Sequence, residues 1–362
     1  MNFFGRLILL TGILLISHAF ASPNIIIQKT LHQPIDTNSD SKGFFTTHNE
    51  IKIALISSPN VIGKYSQSTY NVALATLLGK HQETYTLIHI DIPDESTESL
   101  TSALSRIRQE GFNAVIAPLT SAGAQRLALL EHKIDIFIPT AHKRDVPDAP
   151  NNFAFGAIDY IKQIEALIPY MANNISVFYD DSAVGTQLKK HTETLFLETD
   201  RTKKSVASYP VDTKGDNIIS YLAKPSVFSK KSIILHIPVV KSSILTAHMT
   251  FTGVKERNIL STQINVDPTL LSLTQYNDRK NMILANSIVE HSPAIYEANA
   301  IMNNDIAFDW INYATSVGTD YLISKITNTH RDYSMRLIDA QVIYPVELLK
   351  AEMFGFEPIT AN

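Results

Sequence analysis

The sequence predicts an α/β fold in which two doubly wound parallel sheets form two lobes joined as a clamshell. Three observations predict it. Short apolar runs alternate with helix-period stretches four times between Ile51 and His142, the pattern of a parallel sheet with crossover helices. The alternation resumes after a proline- and charge-rich segment, 142–152. Finally, 362 residues at 44% hydrophobic content are enough to bury two cores of ordinary domain size.

The first series opens with Ile51-Lys52-Ile53-Ala54-Leu55-Ile56-Ser57, a buried strand leaving through Ser57-Ser58-Pro59-Asn60. Tyr65 to His81 follows as a helix with Tyr70, Leu74, Leu77 and Leu78 on one side. Thr84 to Ile92 is the second strand; Ser96 caps a helix carrying Leu100, Leu104 and Ile107 up to Gly111. Ala114-Val115-Ile116-Ala117 is the third strand, broken by Pro118-Leu119-Thr120-Ser121. Ser121 opens a helix with Leu127, Leu130 and Ile134 spaced for one face. Ile134 to Ile138 is the next strand, ending in Pro139-Thr140-Ala141.

The second series starts with a short strand at Phe153 and a helix from Asp159 to Met171. Ile175 to Tyr179 runs into Asp180-Asp181-Ser182 and a helix to Thr199. Ser205 to Val211, Ser232 to Val239 and Ile259 to Ile264 read as further strands, with helices between them and at Pro268 to Gln275. An extended segment at Asn281 to Ile288, two helices (about 293–303 and 305–326) and a hairpin within 333–356 complete the chain. The expected division is 1–21 signal peptide, 22–50 leader or linker with at most one extra strand, 51–148 plus 290–326 first lobe, and 149–289 plus 327–362 second lobe. Hinges are expected at 142–152, 286–291 and 326–332.

The first 21 residues read as an export signal, with Arg6 in the n-region, Leu7 to Ile16 as a short apolar core and Ala19-Phe20-Ala21 before Ser22. The alternative is an uncleaved anchor, although the core is short for a bilayer. There is no cysteine, hence no lipidation site, disulfide or thiolate chemistry. These features place the chain in a bacterial periplasm, without a membrane anchor after cleavage. With 31 basic against 35 acidic residues and a net charge of -4, the balance argues against nucleic acid as partner.

Ligands of open α/β sheets sit beyond the carboxyl ends of strands, near helix N-termini that attract anions. Thr120 and Ser121 are therefore either a helix cap alone or a seat for a ligand carboxylate, with Thr140 and Ala141 beside them. Ser58 and Tyr65 leave the first strand in the same way; Tyr65 and Tyr179 are candidate aromatic walls. Asp180 and Asp181 are either solvated loop carboxylates or partners of a ligand ammonium. Ser182 reads as a helix cap, and Trp310, spaced with Ile306 and Tyr313, as core. The twelve histidines form no His-Glu-x-x-His pattern, and no Walker loop, Gly-x-Gly-x-x-Gly or Gly-x-Ser-x-Gly is present, so no metal, cofactor or catalytic residue is expected.

Val115-Ile116-Ala117-Pro118-Leu119-Thr120-Ser121, Ile138-Pro139-Thr140-Ala141, Asp159 with Gln163, Asp180-Asp181 followed by Gly185, and Phe308-Asp309 occur in an order that resembles the type I periplasmic binding proteins, the leucine/isoleucine/valine-binding class of solute receptors. The resemblance covers nearly everything from Ile51 on. The outline also resembles the type I-like domain of the lipoprotein that activates a peptidoglycan synthase. The chain departs from the receptors where many have Tyr-Gly after the paired aspartates; here Val184-Gly185 stands. The resemblance implies a small polar or amino-acid-like ligand between the lobes and an ABC permease, a sensor or an envelope complex as partner. The alternative function is a ligand-free interaction module of an envelope or cell-wall assembly, distinguished by a cleft filled with Tyr, Phe or Leu.

Cleavage after Ala21 has a direct check. Intact-mass measurement of protein released by osmotic shock should show Ser22 at the N-terminus; recovery of residues 1–21 in a membrane fraction overturns the export reading.

Overall fold

The computed structural model describes residues 27–28, 50–80 and 84–359; the signal and most of the leader expected from the sequence lie outside them. In chain order the strands are β1 (Ile27–Gln28), β2 (Ile51–Ser57), β3 (Tyr85–Asp91), β4 (Ala114–Ile116), β5 (Asp135–Ile138), β6 (Phe153–Phe155), β7 (Asn174–Asp180), β8 (Ser205–Val211), β9 (Ser232–His236), β10 (Asn258–Ser261), β11 (Met282–Asn286), β12 (Arg336–Ile338), β13 (Gln341–Ile343), β14 (Glu347–Ala351) and β15 (Phe356–Pro358). They form two mostly parallel sheets, in the orders β1-β3-β2-β4-β5-β6-β13-β12 and β15-β14-β11-β10-β9-β7-β8.

Strand β2 is apolar almost throughout because it is covered on both faces. Ile51, Ile53 and Leu55 belong to a core shared with Tyr313, Val317 and Leu74. Ala54 and Ile56 face the opposite way, into a core with Leu100, Leu104, Ala124 and Leu127. The second sheet divides likewise, with Ile233 and Leu235 on one side and Ile234 on the other. Helices close all four faces, as expected of doubly wound sheets.

The chain passes between the sheets three times, at 156–159, 287–292 and 344–346. Two of these differ from the sequence expectation. Phe153–Phe155, expected to open the second lobe, pairs in parallel with β5 and is the sixth strand of the first sheet. The end of the chain is two hairpins instead of one. Strands β12 and β13 pair with each other, and Gln341 joins β6; β14 and β15 extend the second sheet beside β11. A strand belongs to whichever ladder satisfies its backbone, and local pattern carries no record of that choice. The extra strand expected in the leader is β1, antiparallel to β3.

The helix expected to run past Leu130 toward Ile134 ends earlier, at Ala128. The N–H groups of Leu129 and Leu130 bond back three residues, to Arg126 and Leu127, tightening the last turn. The helix Trp310–Thr327 returns from the second lobe and lies on the first sheet. Its Gly318 allows contact with the ring of Phe137; a Cβ there would sit 2.0 Å from Cδ1. At its far end Asp320, fully buried, accepts from Lys80 Nζ at 2.5 Å, and Asp332 is Lys80's second partner. Burial alone would lower the Lys80 pKa, but hydrogen bonds to the two carboxylates raise it.

His236, at the end of β9, is fully buried. Its Nε2 lies 2.8 Å from Thr192 Oγ1, and burial lowers its pKa from 6.5 to about 3. The folded protein keeps it neutral while the unfolded chain takes up a proton below its ordinary value, so stability falls as pH drops from about 6.5 toward 3, by about 1.4 kcal/mol per pH unit from this group. In urea titrations between pH 6 and 4, His236→Gln should flatten the pH dependence by about that slope; an unchanged slope refutes a buried neutral His236.

Candidate functional site

In each sheet the strand order reverses beside the first strand of the series: between β2 and β4 in the first, between β7 and β9 in the second. Such switch points leave a crevice beyond the carboxyl ends of the strands. One cavity of about 670 Å³ lies here, within the range of small-molecule sites, and segments from both lobes line it. Lys64 and Tyr65 come from the segment after β2, and Pro139 and Thr140 from the turn after β5. Ala157, Ile158 and Tyr160 lie on the first crossing; Gln263, Val266 and Asp267 follow β10; Asp305 and Phe308 to Asn312 open the returning helix.

Asp309 caps that helix, accepting from the Asn312 N–H at 3.2 Å. Burial raises its pKa. Tyr65 hydrogen-bonds Asp309; burial, with Asp309 beside it, pushes the Tyr65 hydroxyl up to about 12. Lys64 Nζ stands 5.0 Å from the centre of the Tyr65 ring. Burial and Tyr65 push Tyr160 up to about 12. Trp310, read from the sequence as core, does pack edge-on against Tyr344 at 4.7 Å, yet it also lines the cavity. Three buried polar atoms of the lining have no partner in the protein: Gln263 Nε2, Trp310 Nε1 and Asn312 Oδ1. Gln263 and Asn312 are only 5% and 6% exposed. Buried polar groups are nearly always paired, and these three unpaired atoms stand around one cavity.

Of the residues offered from sequence as ligand contacts, Tyr65 and Thr140 line this cavity, Ser121 lines the smaller cavity beside it, and the others line neither. Thr120 caps its helix by accepting from Gly123 N–H at 3.1 Å, and its N–H and hydroxyl both go to the buried carboxylate of Glu95. The carboxylate at this helix start is thus the chain's own. Gly123 is what lets it approach, since a Cβ there would lie 2.3 Å from Glu95 Oε2. Ser121 donates to Asp145 at 3.3 Å, Ala141 is buried in the core, and Ser58 donates to the Pro93 carbonyl at 3.2 Å. Asp180 repeats the Glu95 arrangement in the second lobe. It accepts from Ser182 Oγ at 2.5 Å, lies 3.8 Å from Lys241 Nζ, and a Cβ on Gly185 would sit 2.2 Å from its Oδ1. Asp181 is exposed; Tyr179 lies under Lys189, 5.3 Å from its Nζ. Sequence reasoning missed Lys64, Gln263, Asp267, Asp305 and Asn312, which no local motif marks; Asp309 stood out only through the resemblance at Phe308-Asp309.

A second, smaller cavity of about 220 Å³ adjoins the first along Thr140, Ala157, Ile158, Tyr160 and Val184. Arg144 and His142 stand there, and both reach across to Asp159, which caps the first helix of the second lobe: Arg144 at 2.7 Å, His142 at 3.7 Å. Burial pushes the Asp159 carboxyl up, but His142 beside it and the hydrogen-bonded Arg144 guanidinium hold it well below the usual carboxylate range.

Ser57, His89 and Asp91 also meet, with Ser57 Oγ 2.7 Å and Asp91 Oδ1 3.1 Å from the same nitrogen, Nε2. A nucleophile relay needs the nucleophile and the orienting acid on opposite nitrogens of the imidazole base, and Ser57 is fully buried; the cluster ties β2 to β3. Among the described residues no group of three or more His, Cys, Asp or Glu could hold a metal ion.

No protein-family model matches the sequence, and no curated protein does. Solved structures match over most of the chain. A leucine-binding protein from Thermotoga maritima superposes with a TM-score of 0.59 at 14% identity, over 86% of this chain and 98% of that one. A branched-chain amino acid ABC transporter protein from Thermus thermophilus with bound valine gives 0.61 at 12%, over 86% and 96%. A solute-binding protein of an R. palustris ABC transporter in complex with benzoate gives 0.58 at 9%, over 86% and 95%. The fold is that of the type I periplasmic binding proteins. These neighbours hold amino acids or benzoate, and their printed ligands differ enough that the shared fold leaves the guest to the cleft side chains.

Since Thr120 serves Glu95 and its own helix, replacing Thr120 and Ser121 by Ala should lower stability by about 1–2 kcal/mol through the lost cap, read by chemical denaturation. Ligand-induced stabilisation should be unchanged; a tenfold loss of affinity would instead restore both hydroxyls to the site.

Proposed function

We propose that this chain is an exported solute receptor that holds a small polar or amino-acid-like ligand between its two lobes, catalyses no reaction, and presents the closed form to an ABC permease, a sensor or an envelope complex. The observation that carries this reading is the set of unpartnered buried atoms around the cavity, Gln263 Nε2, Trp310 Nε1 and Asn312 Oδ1, contributed from both sides of the cleft. Leaving such atoms unpaired costs about 1–3 kcal/mol each, a cost that a ligand's polar groups would remove on binding. A module with no guest has no use for it and gains by filling the gap with apolar side chains. Tyr65 and Thr140 are the proposed contacts from the first lobe, and Gln263 from the second. Export through residues 1–21 places the receptor in the periplasm.

Three crossings of the chain act as hinges in this reading, with bending concentrated at 156–159, 287–292 and 344–346. Binding to the folded state alone stabilises it by about 2.7 kcal/mol at a hundredfold excess over Kd. The test is thermal denaturation of the purified protein against amino acids, amides, amines and small carboxylates, followed by small-angle scattering with the best hit. A rise of several degrees and a fall in radius of gyration are expected. A profile that stays unchanged with every compound transfers the protein to the interaction-module reading.

A further inference from the structure

The side chains of the cleft also carry information about the charge of the guest. Resting on the receptor reading above, we propose that the cleft selects a cationic amine bearing a neutral hydrogen-bond acceptor, in preference to a free amino acid or a carboxylate. Three carboxylates line the cavity, Asp267, Asp305 and Asp309, against one cation, Lys64. Each aspartate uses Oδ1 for nearby backbone: Asp267 for Thr269 N–H at 2.7 Å, Asp305 for Ala307 and Phe308 N–H at 2.8 and 2.9 Å, Asp309 for Asn312 N–H. Among the described residues none of the three lies in an ion pair with Lys or Arg. Tyr65, Tyr160, Phe308 and Trp310 stand in the same lining, and the faces of such rings attract cations.

A ligand carboxylate finds no comparable provision. Two of the helix starts beside the switch points, where an anion would be drawn, are filled from within: Glu95 takes the N–H and hydroxyl of Thr120, and Asp180 takes the N–H and hydroxyl of Ser182; the helix Tyr65–Gly79 opens at the cavity without a side-chain cap. Arg144, the cation of the adjoining cavity, is committed to Asp159. An α-carboxylate entering the cleft would meet three negative charges, offset by Lys64 and the one uncapped helix start at Tyr65. The unpartnered donors, Gln263 Nε2 and Trp310 Nε1, ask for an acceptor, and a neutral amide or hydroxyl oxygen supplies it without adding charge. Asn312 Oδ1 asks for a donor, which an ammonium provides. The ammonium end is therefore assigned to Asp309, Asn312 and the aromatic rings, and the neutral acceptor to Gln263 and Trp310.

The test uses matched sets built on alanine, leucine and phenylalanine: the free amino acid, its carboxamide, its amino alcohol and the acid lacking the amine. Binding to the purified protein is measured by calorimetry. In at least one set the carboxamide or amino alcohol should bind at least roughly tenfold more tightly than the free amino acid, with no binding of the acid. Asp309→Asn should reduce that affinity at least tenfold while preserving the melting temperature, because Asn caps a helix as well as Asp does. Tighter binding of the free amino acids, or of the acids, overturns cation selection and leaves the receptor reading standing. Failure of every amide and amino alcohol to bind also overturns it; the receptor reading falls as well only if scattering shows no closure with any compound of the wider screen.

Discussion

The contact between Gly318 and the Phe137 ring determines where the returning helix lies, and much of the molecule follows from it. Phe137 is fully buried and also meets Gly156, where a Cβ would lie 2.5 Å from its Cζ. With a bare backbone at 318 the helix Trp310–Thr327 settles directly on β4 and β5. Its length then carries two consequences in opposite directions. At the far end Asp320 reaches Lys80 and the N–H groups of Asp332 and Tyr333, so two helices and a loop share one buried charge network. Removing a single member of such a network strands a charge in low dielectric, which typically costs 3–5 kcal/mol. At the near end the same helix delivers Asp309, Trp310 and Asn312 to the cleft. Phe308, just before it, packs against Phe356 of β15 at 6.2 Å, so the first lobe's helix start touches the second lobe's edge.

Two helix starts beside the switch points, those after β4 and β7, use one device. Glu95 and Asp180 each place a carboxylate where the helix N-terminus carries partial positive charge, and in each case a glycine, Gly123 or Gly185, leaves room for it. A fixed internal anion satisfies the free N–H groups permanently, so these starts are closed before any guest arrives. Polar capacity is left instead on the walls of the cleft, where Gln263 of the second lobe and Asn312 of the returning helix hold unpartnered atoms. The second-lobe side of this arrangement is itself braced. Gln163 Oε1 accepts from the Gln263 N–H at 2.8 Å, Gln263 Oε1 accepts from the Ser287 N–H at 2.7 Å, and Gln163 Nε2 donates to Ser287 Oγ. Ser287 begins the second crossing, so the side chain that presents the donor is tied to a hinge.

Coupling between lobes runs through a few charged and aromatic contacts. Arg144 and His142 hold Asp159 across the first crossing, and Phe308 bridges to Phe356. Interfaces between lobes of one chain leave relative motion as the default. A ligand that touches both walls supplies the differential contact that closure requires.

Sequence alone determined the fold class, because a parallel strand buried on both faces needs a continuous apolar run, and β2 or β9 can be read as such without knowing their neighbours. It determined most helices from caps and stripes: Ser96, Asp159 and Ser182 each accept a backbone N–H at the helix they were expected to open, while the cap expected at Ser121 falls one residue earlier, on Thr120. Tyr65 and Thr140 were legible as cleft residues because they follow strand ends. Tertiary structure alone decided which sheet took Phe153–Phe155 and Gln341–Ile343, since a ladder is chosen by backbone partners far apart in sequence. It also decided that Thr120 faces Glu95 instead of a ligand, and that Lys64, Gln263, Asp305 and Asn312 share one cavity. Those residues stand on three separate segments, and only the folded chain brings their charges and unpaired atoms within reach of one guest.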